Sequence, residues 1–160
     1  MRDGITLRPA RDADGEDIIA LIAAAYGEYP GCILDVDDES PELRCPASHY
    51  GALGGSAWVA EQDGLIVGTA ACQPVPGPGL EIQKLYVAAM ARRRGLASRL
   101  LALIEDEARR RSAVFIELWT DTRFETAHRL YEALGYRRGV VGRTLNDRSA
   151  SREHHYRKDL

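Results

Sequence analysis

Cysteine is scarce in this chain of 160 residues, with 3 in all. Cys32, Cys45 and Cys72 are odd in number and lack the paired spacing of a zinc site. A disulfide framework and a cysteine-held metal are therefore excluded, and free thiols in a reducing cytosol are expected. Charge of one sign is also lacking. The formal net charge is −3, which argues against general affinity for nucleic acid or an anionic membrane surface. Aromatic residues make up only 7% and do not cluster with basic ones, as a nucleic-acid surface would require. No apolar run approaches a membrane span, and the first residues lack a basic-then-apolar leader pattern. Repeats, low-complexity tracts and linkers are absent too, so residues 1–160 read as a single domain in the cytoplasm. Hydrophobic content of 45% and charged content of 28% suit a chain that buries a real core.

The most informative stretch runs from Leu80 to Arg110. A strand (Leu80 to Val87) passes through Arg92-Arg93-Arg94-Gly95-Leu96-Ala97 into a helix. Leu96, Leu100, Leu103, Ile104 and Ala108 fall on one helical face, with Arg99, Glu105, Asp106 and Arg109 on the other. Basic side chains and a glycine thus meet at a helix start, where unpaired N–H groups and the helix dipole favour phosphate. Gly95 would let a ligand approach the backbone with no Cβ in the way. Within the strand, Leu80 and Ile82 place the apolar face on even numbers, whereas Leu85 and Val87 place it on odd ones. That change of phase predicts a β-bulge.

In chain order, Ile5 to Arg8 is a short strand closed by Pro9. Asp14 is the expected N-cap of a helix from Gly15 to about Tyr26. Tyr29-Pro30-Gly31 ends it, and the acidic run Asp35 to Glu39 follows. Ser40-Pro41 starts a short helix, interrupted at Pro46 and resumed through His49 and Tyr50. Ala57 to Glu61 and Leu65 to Gln73 read as a hairpin about Asp63-Gly64, and Pro74, Pro76 and Pro78 predict a stiff loop after it. Val114 to Trp119 is a strand covered on both faces. A helix from about Glu125 to Leu134 is expected to open with a Thr122-x-x-Glu125 capping box and to stop at Gly135. A last hairpin pairs Tyr136–Leu145 with Arg152–Lys158.

Arg92-x-x-Gly95-x-Ala97 resembles the phosphate-loop signature of the GNAT superfamily of acetyl-CoA-dependent N-acetyltransferases. A second stretch, Ala127-x-x-Leu130-Tyr131-Glu132-x-Leu134-Gly135-Tyr136, is similar to that family's second motif and follows at about the right distance. The resemblance covers nearly the whole chain. It implies an α/β fold, of mixed α+β character, with a mixed sheet of about six or seven strands and about four helices on its faces. It further implies that acetyl-CoA is the co-substrate, held at Arg92, Arg93, Arg94, Gly95, Leu96, Ala97 and Ser98. The pantetheine arm would pair with the backbone of Leu85, Tyr86 and Val87, where the bulge parts two strands. At Phe124 many members carry an asparagine that helps hold the cofactor; phenylalanine cannot make that hydrogen bond, so polar contacts there fall to Thr120, Asp121 or backbone.

Acetyl transfer to an amine needs deprotonation of an ammonium with pKa ~10. It also needs an oxyanion donor and a donor for the leaving thiolate. By resemblance Tyr131 is the acid towards the thiolate and Glu81, through water, the base, with Gln83 on its face to orient that water. The other reading of Tyr131 is an ordinary core aromatic. His128 is expected on the exposed side of its helix, and His154 or His155 could face the acceptor. The run Asp35 to Glu39 lacks the sixth-position glycine and twelfth-position glutamate of a calcium loop, so no metal is expected. It is either a solvated loop or a negative lip for a cationic amine. The expected function is transfer of acetyl from acetyl-CoA to a small-molecule, peptide or N-terminal primary amine. The alternative is a silent acyl-CoA-binding module on the same fold. Neither nucleic acid nor membrane is an expected partner; a homodimer is left open.

Overall fold

The computed structural model describes residues 3–160. A 7-stranded sheet runs in the order β1-β2-β3-β4-β5-β7-β6. Its strands are β1 (Ile5–Pro9), β2 (Ser56–Gln62), β3 (Leu65–Val75), β4 (Gly79–Val87), β5 (Phe115–Asp121), β6 (Arg137–Thr144) and β7 (Arg152–Asp159). All neighbours are antiparallel except β4 and β5, which are parallel. A parallel pair needs a crossover, and α4 (Leu96–Arg110) supplies it. Pro9 ends β1 at the sheet's edge, where a missing N–H costs no ladder bond.

The helices follow from apolar spacing. On one face α1 (Gly15–Tyr26) packs Ile18 and Ile22 with Leu43 and Val59. On the other, α4 buries Leu96, Leu100, Leu101, Ile104 and Ala108 over Ala60, Val67, Ala70, Leu80 and Ile116. This second cluster takes in Tyr131 of α5 (Glu125–Ala133), together with Tyr136 and Tyr156. Between α1 and β2 lie the one-turn helix α2 (Val36–Glu39), a 3-10 turn (Pro41–Arg44) and α3 (Pro46–Ala52).

Several local expectations are corrected. Asp14 does not cap α1: its carboxylate takes a two-pronged ion pair from Arg8 and accepts the Arg11 N–H. The proline-rich stretch is not a loop throughout, because Pro74 and Val75 continue β3, Gly79 begins β4, and only residues 76–78 turn. Phe124, not Thr122, stands at the N-cap of α5, and no side chain caps it. The Thr122 N–H is already used by the Arg152 carbonyl at 2.8 Å.

Candidate active site

The expected bulge in β4 is present. Ala71 lies opposite Gln83 and Thr69 opposite Tyr86, so β4 carries one residue more than β3 across that interval. Lys84 accommodates it with φ +54°, a left-handed conformation uncommon for a residue with a side chain. Leu80 and Ile82 before the bulge, and Leu85 and Val87 after it, therefore all join the α4-side core. The parallel pairing of β4 with β5 stops at Glu81 opposite Glu117. Beyond that point the strands part, and β4 presents a backbone edge with no β5 partner.

A cleft of about 540 Å³ fills the gap. Glu81, Gln83 and Lys84 enter from one face of the sheet, and Ala127 and Tyr131 from the other. Leu85, Tyr86 and Phe124 line it as well. Of the residues singled out in the sequence, Glu81, Leu85, Tyr86, Phe124 and Tyr131 are thus brought together. Tyr86 packs its ring on Tyr26 at 6.0 Å, and Phe124 lies 4.8 Å from Tyr29 and 6.3 Å from Tyr26. Phe124 contributes apolar surface where an asparagine would contribute a polar group.

Tyr131 is 5% exposed, yet its side chain reaches the cleft. Its ring is fixed between Tyr136 at 6.0 Å and Tyr156 at 5.7 Å. Burial pushes its phenol well above the usual value of 10.0, so the proton stays on oxygen. Glu81 receives one side-chain hydrogen bond, from Gln83 Nε2 at 3.3 Å. Burial raises the Glu81 pKa, with Gln83 and Arg143 pulling the other way. A carboxylate moved towards neutrality is better matched to taking a proton than an exposed one.

The phosphate-loop candidates lie at the far end of β4 and do not line this cleft. Arg93 (φ +63°) and Gly95 (φ +71°) are left-handed and curl the backbone ahead of α4. No backbone oxygen among the described residues accepts the N–H groups of Arg93, Arg94, Gly95, Leu96, Ala97 and Ser98. A Cβ on Gly95 would meet nothing within 4 Å, so the approach to this backbone is open. The three arginines part company here. Arg92 gives both guanidinium ends to Glu28 at 2.7 and 2.6 Å and its Nε to the Val87 carbonyl. Arg93 and Arg94 face no carboxylate among the described residues. Val87 and Arg92 line a separate groove of about 430 Å³ beside α1.

Of the two readings of the acidic run, the structure favours a largely solvated segment. Asp35 caps its own short helix and pairs with Arg148 at 2.9 Å; Asp37 pairs with Arg44 at 2.9 Å. Only Glu39 of the run lines the cleft, and the cleft's other carboxylates are Glu42, Glu81, Asp121, Asp147 and Glu153. Lys84 and Arg143 are its lysine and arginine, each bound to a carboxylate, Glu42 at 3.1 Å and Glu153 at 2.7 Å. His128, expected on the exposed side of its helix, is instead only 5% accessible, with Nε2 2.9 Å from the Asp121 carbonyl. His154 packs on His128, and His155 holds Glu117 at 2.8 Å; neither lines the cleft. No group of His, Cys, Asp and Glu among the described residues could hold a metal ion, and no described helix is long and apolar enough to cross a membrane.

Known proteins share this fold. A Staphylococcus aureus acetyltransferase of the GNAT family superposes with a TM-score of 0.83 at 20% identity, covering 98% of this chain and 99% of its own. The Salmonella typhimurium protein YncA, solved with its cofactor acetyl-CoA, gives 0.76 at 20% identity over 99% and 95% of the chains. In sequence, the uncharacterised N-acetyltransferase YjgM of Escherichia coli is 32% identical over 74% of this chain and 72% of its own length. Mouse N-acetyltransferase 8B is 32% identical over 57% of this chain, which spans 41% of that protein; for another mouse relative the span is 39%. The model of the acetyltransferase (GNAT) family matches residues 18–136, a range that holds both the bulged strand and Tyr131. With the family model spanning most of the sheet and the parted strands, the chain belongs to the GNAT acetyltransferase family.

Proposed function

We propose that the chain transfers acetyl from acetyl-CoA to a cationic primary amine, on a small molecule or a peptide N-terminus. The observation that carries this reading is the parting of β4 from β5 after Glu81, which leaves a strand edge leading into a cleft with Glu81 and Tyr131 on its walls. The open N–H groups from Arg93 to Ser98, with Arg93 and Arg94 side chains that have no carboxylate partner among the described residues, suit a pyrophosphate. The free edge at Leu85 to Val87 suits an amide-bearing arm that pairs as an extra strand. Arg92, tied to Glu28, holds the loop against the end of α1 rather than meeting the phosphate.

At the cleft's acidic end Glu81 takes a proton from the ammonium, directly or through water. The freed nitrogen attacks the acetyl carbonyl carbon. A backbone N–H beside the bulge donates to the oxyanion, the nitrogen gives up its second proton to water, and the carbon–sulfur bond then breaks. Tyr131 donates a hydrogen bond to the departing thiolate. A thiol has a pKa near 8.5, far below this buried phenol, so full transfer of the tyrosine proton is uphill. The contribution of Tyr131 is the hydrogen bond, and the sulfur gains its proton later from water.

Thiol release from acetyl-CoA, followed across amines, amino acids, aminoglycosides and peptides, tests the proposal. Turnover of a cationic amine supports it. Tight CoA binding with no turnover in the whole panel replaces it with a silent binding module.

A further inference from the structure

Tyr50 lies outside the lining of the cleft, yet it is 1% exposed and ends on a cleft residue. It is set by α3, which starts at Pro46 and closes with the Gly55 N–H on the Tyr50 carbonyl at 2.7 Å. From there its hydroxyl donates to Gln83 Oε1 at 2.9 Å, while Gln83 Nε2 donates to Glu81 Oε1 at 3.3 Å. We propose that Tyr50 is a positioning residue for the acceptor end of the cleft, fixing the Gln83 amide so that its NH2 group is held on the Glu81 carboxylate. This rests on the reading of Glu81 as the base.

The donor inventory supports the assignment. A carboxylate only accepts, so the amide must turn its NH2 to Glu81 and its carbonyl the other way. That carbonyl then needs a donor, and a buried phenol that keeps its proton is one. The three groups form a chain, O–H to C=O and N–H to carboxylate, in which each bond polarises the next. Without the Tyr50 hydroxyl the amide can rotate and present its oxygen to Glu81, which repels the ionised form. The charged groups around Glu81 are Arg143 of β6, Glu117 of β5 and Glu153 of β7. Around Tyr50 they are Glu42 and Glu81, with Glu42 paired to Lys84, and the buried Cys72 thiol nearby is neutral. Gln83 alone makes a side-chain hydrogen bond to Glu81 among the described residues.

The test is the pH profile of kcat/KM for acetyl-CoA and the fastest amine of the panel. Glu81 must be ionised to act, so the rate falls on the acid side of its pKa. Tyr50→Phe should move that limb to higher pH by about one unit, close to tenfold at a pH below it, with the gap to the parent closing as pH rises. Gln83→Leu should give the same displacement, and the double variant no more than either. CoA affinity should stay put. An unmoved limb in Tyr50→Phe, or shifts that add in the double variant, overturns the proposal. If Tyr50→Phe fails to fold, Gln83→Leu decides by the same limb. Glu81→Gln separates the two readings. A limb lost there but unmoved in Tyr50→Phe removes the relay alone, and a limb surviving in Glu81→Gln removes the base and the relay with it.

Discussion

Replacing Tyr131 by phenylalanine keeps the ring between Tyr136 and Tyr156 and removes one oxygen. The structure sets the magnitude. Burial, followed by the proximity of Tyr156, is what raises the phenol's pKa; no hydrogen bond contributes to it. Folding thus loses no intramolecular hydrogen bond, and the melting temperature should remain close to the parent's. The thiolate of the departing CoA is a different matter. A hydrogen bond to a charged group is worth about 1.5–3 kcal/mol, so the loss should be roughly 10- to 150-fold in kcat. The proton cannot move fully to so much weaker a base, which keeps the figure from rising further. The fall should be equal in kcat and kcat/KM, since the bond forms only as charge grows on sulfur. Single-turnover thiol release with saturating acetyl-CoA isolates this step. Parent-like rates there would show that Tyr131 only packs.

The remaining predictions address the cofactor, the acceptor and the fold. Gly95→Asp places a side chain at φ +71° and a negative charge among open N–H groups, so CoA affinity should fall at least tenfold by calorimetry; parent-like binding would put the phosphate elsewhere. Glu39→Gln, on the cleft wall, should raise the acceptor KM several-fold, most at low salt, while Asp37→Asn, paired with Arg44 outside it, should not; equal effects from both would reduce the difference to bulk charge. Asp14→Asn should destabilise by about 1–3 kcal/mol at neutral pH. Hydrogen bonding to Arg8 lowers the Asp14 pKa below its unfolded value of 3.8, so this stability is complete above that value and disappears as pH falls through the lower folded one. Denaturant midpoints at pH 7 and in acid should therefore converge for parent and variant; a constant gap would mean the ion pair is not the cause.

Local pattern reached far into this fold. Alternation located the strands, the apolar stripe from Leu96 to Ala108 located α4, and the shift from Ile82 to Leu85 located the bulge, because each is written in neighbouring residues. Failures came where a side chain had a distant rival for its local role. Asp14 is drawn from α1 to Arg8, and the Thr122 N–H from the helix start to Arg152. His128 appeared exposed beside Arg129, but the Asp121 carbonyl and the ring of Tyr156 enclose it. Most of the cleft's acidity was not legible for the same reason. The run from Asp35 to Glu39 is dense in sequence but gives the cleft only Glu39, whereas its other carboxylates come from the 3-10 turn, β4, β5, β7 and the β6–β7 connection. Tyr50 and Gln83, 33 residues apart, carry no shared signal at all.

The bulge ties the electrostatics of the site to its shape. An extra residue at Lys84 changes which side chains face α4, and the parallel pairing with β5 has already ended at Glu81. One strand therefore carries a carboxylate at the mouth of the gap and leads at its other end to cations with no carboxylate partner among the described residues. Had the arginines faced the acidic cleft directly, they would have paired with it, as Arg143 does with Glu153 and Lys84 with Glu42. Arg92, the one nearest the end of β4, is in fact captured by Glu28. Separation along β4 is what leaves Arg93 and Arg94 available while the chain as a whole stays at −3. A ligand that is anionic at one end and meets a cation at the other can then span the strand with each charge opposite its complement. An acyl donor with a pyrophosphate tail and an ammonium acceptor has that polarity.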